Sequence, residues 1–502
     1  MELFSLKRIC LDSVSNHLSM WCESAKTEDF FKYMYVIGPF NDVAPDLTQQ
    51  VIDLAYKKQL LKICYFPLLI HENFTKLDIS KCRSIVTDQV LKLISSRCQR
   101  LTSLNLNGCT RLSSSVLNET LPTLVNLQSI QLSKCRGATN NLLCKLRENC
   151  FKLEELVLDL CPKITNIGME KLLMVAKKNV CLNLLHLSVS STSITTKSLS
   201  IILSKLPKLR RLGFSDIAKD ESLIFDHFPD YPNLVELNIF ATYLENSDLS
   251  LMLDRLPNLV KFKSNMTDNV GRILKNSLIH LGNIISLDLS GSTLRFDDFV
   301  VFLKRRGGQL MYLNLSEIRS VSLFLLCLFC RSLKELILEH CENVDPSLPS
   351  NDSLALDYRD NLTKSGGDYL LSHFCPELSH INFNFMTIDE NIAVEMLKHI
   401  ACAIFCNHSQ LITLSLKKIQ HELIDDEVLE QISASSTNAC LRTLDLSCCD
   451  GVSADMLWMI VENYHLLRFL DVSHCKLIDI ATVSQLRKEL KRSNRPLQVI
   501  WA

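Results

Sequence analysis

A short apolar-x-apolar step, preceded three residues earlier by another apolar residue, recurs along most of this chain, as at Leu101-x-x-Leu104-x-Leu106. It returns at Leu77/Ile79, Ile130/Leu132, Leu156/Leu158, Leu187/Val189, Leu212/Phe214 and Leu237/Ile239. Further on it stands at Leu287/Leu289, Leu313/Leu315, Leu336/Leu338, Ile381/Phe383, Leu414/Leu416, Leu444/Leu446 and Leu470/Val472, with a degenerate copy at Phe262 and a terminal one at Leu497/Val499. Successive copies are mostly 23 to 27 residues apart, with longer steps of 30 to 45. The alternation predicts a short strand whose two apolar residues turn inward while the residue between them faces out. The segment after each strand is predicted helical: in 84–98, Val86, Val90, Leu91 and Ile94 fit one helix face. One strand and one helix cannot cover their own apolar faces, so neighbouring copies must stack.

The period lies in the leucine-rich-repeat range. It predicts an α/β fold: a horseshoe-shaped leucine-rich-repeat solenoid over 67–502, behind a small N-terminal helical domain over 1–66. Two cysteine rows follow the same register. Cys82, Cys109, Cys135, Cys161, Cys341, Cys449 and Cys475 each lie five residues after the first strand apolar; Cys98, Cys150, Cys181, Cys330 and Cys375 each lie six before it. Twelve of the 21 cysteines therefore occupy repeat positions that want a small buried apolar group. On these residues the chain resembles the cysteine-containing leucine-rich repeats of many ubiquitin-ligase substrate receptors. His340-Cys341, His474-Cys475 and Cys448-Cys449 invite a metal reading, but each pair contains a repeat cysteine and no C-x-x-C or H-x-x-x-H spacing accompanies them. No metal site is expected.

Apolar residues make up 47% of the chain, enough to fill a long stacked interior. Lys plus Arg (54) nearly balances Asp plus Glu (55), which leaves no electrostatic footprint for nucleic acid or an anionic membrane. The start, Met1-Glu2-Leu3-Phe4-Ser5-Leu6-Lys7-Arg8, does not read as a signal peptide, and no run of about 18 apolar residues predicts a membrane span. Reduced thiols in the cytoplasm or nucleus are expected. Phosphate-loop, Rossmann, H-E-x-x-H and G-x-S-x-G patterns are all missing. Neither catalysis nor a cofactor is expected.

Before Phe74 the strand signature is absent. Leu6, Ile9, Cys10, Ser13, Val14 and Leu18 share one helical face, and Val51, Ile52, Leu54 and Ala55 mark a second helix, with turns at Gly38-Pro39-Phe40-Asn41 and Ala44-Pro45-Asp46. This reads as a helical domain or as a cap over the first repeat. Ser5-Leu6-x-x-x-Cys10-x-x-x-Val14 resembles the elongin BC-box, and Ala44-Pro45-Asp46-Leu47-Thr48-x-x-Val51-Ile52 resembles a cullin-2 box, with Thr48 where that pattern prefers an aliphatic. Thr443-Leu444-x-x-x-Cys448-x-x-x-Val452 meets the first pattern too, but begins on a repeat strand. Together the head and the repeats resemble the VHL-box leucine-rich-repeat receptors, notably the Zyg-eleven and Zer-like group. Here the strand signature runs to residue 497, leaving no room for that group's armadillo-type repeats. The resemblance implies that Leu6, Cys10 and Val14 contact elongin C, that Pro45 assists the choice of cullin, cullin-2 above all, and that the repeats hold a protein substrate.

The outward strand positions are mostly small and polar: Asp78, Asn105, Gln131, Ser188, Asn238, Asp288, Asn314, Asn382, Ser415, Asp445 and Asp471 among them. They suit an extended ligand, or equally serve the repeat itself. Beside them Arg211, Phe240, Lys261, Tyr312, His380, Lys417 and Phe469 are the residue types that anchor interfaces, and they are the candidate substrate contacts. The 45-residue step from Leu336 to Ile381 predicts an inserted loop near 345–368, rich in Pro, Ser, Asp and Gly. The sequence thus points to an adaptor-docked substrate receptor. Two alternatives stay open: an F-box-like receptor using 36–66 against a Skp-type adaptor, and a protein-binding scaffold outside any ligase.

Overall fold

The computed structural model describes residues 6–22, 38–173, 183–218, 230–231, 233–242, 244, 246–265, 273, 276–345, 375, 377–387, 410–419, 424, 426–427, 429–430 and 440–502. Contacts divide the chain into two units, Leu3–Asp248 and Leu249–Ala502.

The first unit opens with helices α1 (Leu6–Asn16), α2 (Leu18–Trp21) and α3 (Pro45–Lys57), then the short α4 (Phe66–Leu69). Seven three-residue strands follow: β1 (Lys76–Asp78), β2 (Ser103–Asn105), β3 (Ser129–Gln131), β4 (Glu155–Val157), β5 (His186–Ser188), β6 (Arg211–Gly213) and β7 (Glu236–Asn238). Each pairs in parallel with the next, so that Leu77, Leu104, Ile130, Leu156, Leu187, Leu212 and Leu237 fall in one line. Helices such as α5 (Asp88–Arg97) run between strands and bury Val90, Leu91, Leu93 and Ile94 beneath them.

In the second unit the strands are β8 (Lys261–Lys263), β9 (Ser286–Asp288), β10 (Tyr312–Asn314), β11 (Val321–Ser322), β12 (Glu335–Ile337), β13 (Val344–Asp345), β14 (His380–Asn382), β15 (Thr413–Ser415), β16 (Thr443–Asp445), β17 (Phe469–Asp471) and β18 (Gln498–Ile500). β8, β9, β10, β12, β14, β15, β16, β17 and β18 form one parallel ladder, and β11 pairs with β13 apart from it. Phe262 fills the buried central position of β8, so the degenerate copy is a working repeat. The terminal copy is corrected by two residues: Val499, not Leu497, stands opposite Leu470. The preceding helix Ile480–Arg492 and the turn held by the Arg495 side chain on the Val461 and Tyr464 carbonyls lengthen that step. Of the inserted loop, residues 346–368 lie outside the described residues.

Both units are leucine-rich-repeat solenoid. Beyond the apolar line, three polar devices recur in them. First, the Asp or Asn after the central strand apolar accepts from the backbone N–H two residues on, as Asp78 does from Ser80 (2.9 Å), Asn314 from Ser316 (3.0 Å) and Asp471 from Ser473 (2.9 Å). These side chains serve the repeat before any ligand. Second, the residue four after the central apolar turns left-handed, and its N–H donates to the next repeat. Leu160 (φ 58°), Ser191 (52°), Glu317 (64°) and His340 (56°) do so without being glycine, where Gly108 (77°) and Gly291 (66°) do so freely. Third, several buried row cysteines donate S–H to the carbonyl just past the strand of the preceding repeat: Cys135 to Leu106 (3.2 Å), Cys341 to Leu315 (3.1 Å) and Cys449 to Leu416 (3.1 Å). They are small apolar groups with a donor, which adds a second bond to a carbonyl that already accepts a backbone N–H three residues on.

Candidate protein-interaction site

The head meets the first repeat through α3. Pro45 begins that helix, where its missing N–H is no loss, and it is half-buried. Val51, Ile52 and Ala55 are buried; Thr48 is buried as well, its hydroxyl 3.4 Å from the Ala44 carbonyl, so it meets an interior position as a back-bonded Thr. Gln49 reaches β1: its Nε2 donates to the Asp78 carbonyl (2.7 Å) and its Oε1 accepts from the Asp78 N–H (3.0 Å). Lys81 pairs with Asp53, and the Tyr56 hydroxyl lies 2.8 Å from Ser84 Oγ. α3 therefore covers the open edge of the ladder.

α1 packs on α3, but not by the face the apolar spacing predicts. Leu11 and Ser15 are its buried residues, Ser15 donating to the Leu11 carbonyl (2.7 Å). Lys58 locks the contact, 2.7 Å from Asp12 Oδ1 and 2.8 Å from Asn16 Oδ1. That leaves Leu6 76% exposed, Ile9 53% exposed and Cys10 exposed, with Val14 half-buried at the margin. Two residues that the BC-box spacing does not include are also outside: Met20 (69% exposed) and Trp21 (56%), at the end of α2. A large apolar pair closing a helical segment was their only sequence signal.

The candidate substrate contacts sit where the strand register puts them, and it gathers few of them. In the first unit Arg211 is exposed on β6, between His186 on β5 and Glu236 on β7. His186 Nδ1 lies 3.0 Å from Glu155 Oε1, and Ser129 Oγ donates to Glu155 Oε2 (2.7 Å). Burial works to raise the Glu155 carboxyl, but the Ser129 and His186 hydrogen bonds and the charges of His186 and Arg211 bring it below its usual range. Phe240 is half-buried, its N–H on Asn238 Oδ1 (3.1 Å). In the second unit Lys261, Tyr312, His380 and Phe469 share one row, through the pairings Lys261–Ser286–Tyr312–Glu335–His380–Thr413–Thr443–Phe469. At about 4.8 Å per strand, Tyr312 and His380 are about 10 Å apart along that row. Burial pushes the Tyr312 phenol up to about 12, and His380 Nδ1 is 2.9 Å from Ser379 Oγ.

Lys417 alone joins a compact cluster. Its Nζ lies 5.4 Å from the Phe385 ring centre and Lys418 Nζ lies 5.9 Å from it, while the His340 ring stacks on Phe385 at 4.4 Å and 7°. His340 thus stacks on a neighbour while Cys341 bonds inward to Leu315, so the adjacent pair parts. Phe385 and Lys418 escape the strand pattern because they stand past the strand, on the left-handed corner.

No family model matches the chain. Over 98 residues it is 31% identical to the SCF E3 ubiquitin ligase complex F-box protein pof2 of Schizosaccharomyces pombe, which takes in 20% of this chain and 21% of that protein. The chain thus spans about a fifth of this curated relative. Among solved structures it is similar to the Rad7 and Elc1 complex in yeast, at TM-score 0.45 and 15% identity, covering 99% of this chain and 98% of that one. An internalin, InlF of Listeria monocytogenes, gives TM-score 0.37 and 16% identity over 92% and 97%.

Proposed function

We propose that this chain is the substrate-recognition subunit of a cullin-RING ubiquitin ligase, docking an elongin C-type adaptor through α1 and holding a protein on its repeats. The observation that carries this is the exposed Leu6–Ile9–Cys10 edge of α1, on a helix whose opposite side is occupied by α3. A helix serving only as a cap would turn such residues inward; a helix that lies in a partner's groove shows them. The partial match to a ligase F-box protein supports the ligase class. Cullin choice, with cullin-2 preferred, rests on Pro45 and the residues after it. The protein would work in the cytoplasm or nucleus, and the transfer chemistry would belong to the ligase it joins.

The same match favours a second reading, in which 36–66 meets a Skp-type adaptor. Affinity purification of the full chain with mass spectrometry separates the two. Elongin C and a cullin are expected, and Leu6→Ser should remove both while the circular dichroism of the chain is unchanged. A Skp adaptor in their place selects the second reading. Recovery of neither leaves a scaffold outside the ligases.

A further inference from the structure

The cluster around Phe385 is built by the repeat. His340, Phe385 and Lys418 are the left-handed corner residues of three successive repeats, at φ 56°, 55° and 51°. Their N–H groups donate in turn to the Asn384, Lys417 and Ser447 carbonyls. Neighbouring strands lie about 4.8 Å apart, the spacing at which flat rings stack, and His340 and Phe385 meet at 4.4 Å. Lys417 adds a second ammonium from the adjoining position. Two cations, a stacked imidazole and a phenyl ring therefore share one rim, where His340 and Lys418 are exposed and Phe385 and Lys417 half-buried.

Among the described residues no carboxylate is paired with either lysine, and their ammonium groups contact the Phe385 ring instead. Three carboxylates of the described residues on this and the neighbouring repeats are engaged elsewhere. Asp445 accepts from Ser447 (2.7 Å), Asp450 pairs with Lys476 (2.6 Å), and Glu317, on the corner before His340, leans toward Gly291. Asn384 stands between Glu339 and Lys417 in their row.

We propose that this rim receives an acidic segment of a protein partner, Asp and Glu side chains pairing with Lys417 and Lys418 while an apolar or aromatic neighbour lies along the Phe385–His340 stack. Carboxylates fit better than a phosphoryl group. The corner N–H groups of His340, Phe385 and Lys418 are engaged within the repeat ladder, the Lys417 N–H is held by Asn384 Oδ1 (2.9 Å), and among the described residues only lysines stand over the ring. Loose point-charge pairing is available; a cradle for a tetrahedral anion is not. The proposal rests on the repeats being a protein-binding surface and not on α1, so a failed adaptor pull-down leaves it standing.

The test is fluorescence anisotropy of the full chain with three labelled peptides of one length: Glu-rich with a single Phe, its Gln counterpart, and a phosphoserine counterpart. The Glu peptide should bind best. K417Q/K418Q should weaken it about tenfold, as two surface ion pairs allow, while K92Q, an exposed lysine of α5, changes nothing. Raising salt from about 0.05 to 0.5 M should remove the difference between wild type and the double variant. Equal binding of the Gln peptide, an unaffected K417Q/K418Q, or binding of the phosphopeptide alone would each overturn the proposal.

Discussion

Gln49 holds Asp78 as a neighbouring strand would, giving the edge residue both an acceptor and a donor from one side-chain amide (2.7 and 3.0 Å). An open parallel edge is a template for unwanted pairing, and among the α3 contacts Gln49 is the one that pairs with the backbone of β1. Gln49→Ala should therefore loosen the first strand alone. A loss of about 1–2 kcal/mol should appear as roughly five- to thirtyfold faster hydrogen exchange at the Asp78 amide, with the β3 and β4 amides unchanged. Uniform acceleration across the unit would show that the clasp is not local.

The left-handed corner carries strain where its residue has a Cβ. Leu160 stands there at φ 58° and is 43% exposed, so little packing is lost if it is shortened. Leu160→Gly should stabilise the first unit by about 0.5–1 kcal/mol, the relief of left-handed strain exceeding the added freedom of the unfolded chain. Leu158→Gly, two residues earlier and fully buried, should destabilise it severely. Urea midpoints of the two variants, compared with wild type, decide this.

These corners also show what was legible in the sequence. Strand positions follow from a period of two in apolar residues, which is why nearly every central residue from Leu77 to Leu470 could be named in register. The corner carries no such mark, because Leu, Ser, Glu, His, Phe and Lys all occupy it and the backbone hydrogen bond, not the side chain, enforces it. The Phe385 cluster was hidden for that reason. The head misled differently: Leu11 and the back-bonded Ser15 form the buried face of α1, while Leu6, Ile9 and Cys10 of the predicted stripe turn outward and its last member, Leu18, is buried. Apolar spacing predicts a face, not which partner covers it.

Cysteine reactivity should divide along the same lines. Burial pushes the thiols of Cys82, Cys98, Cys341 and Cys449 up to about 12, so at pH 8 only about one in ten thousand is thiolate. Cys10 and Cys440 are exposed. Brief native alkylation followed by peptide mass spectrometry should modify Cys10 and Cys440 and spare the four others until denaturant is added. Early labelling of Cys341 or Cys449 would mean the ladder opens locally.

His71 makes the start of the repeats sensitive to acid. It is fully buried with neither ring nitrogen hydrogen-bonded in the structure, against Phe74 at 4.6 Å. Arg97 is fixed nearby, donating to the Pro67 carbonyl and to the Ile70 carbonyl (2.9 Å). Burial first, then the Arg97 charge, lowers the His71 pKa from 6.5, with Glu72 opposing weakly. The unfolded chain therefore binds a proton that the folded one refuses. Stability from this group is intact above pH 6.5 and falls as pH drops below it, toward the depressed folded value. Thermal melts at pH 7.5 and 5.5 should show a drop that His71→Phe reduces; an equal drop in the variant would place the acid sensitivity in other groups.

The reach of the docking edge follows from α2. Leu6, Ile9 and Cys10 lie on α1, and Met20 and Trp21 follow after one turn at His17, all of them outside. A partner groove that takes only the BC-box spacing would touch Leu6, Cys10 and Val14 and ignore Trp21. One that takes the whole exposed edge would lean on Trp21 more than on the half-buried Val14, since a large aromatic lost from an interface costs about 2 kcal/mol or more. Trp21→Ala should then weaken adaptor retention about thirtyfold or more, close to the effect of Leu6→Ser, with Val14→Ala much milder. Calorimetric titration of the purified chain with elongin B–C ranks the three. If Val14→Ala proves the severe change and Trp21→Ala is silent, the contact ends on α1, and Trp21 belongs to some other surface.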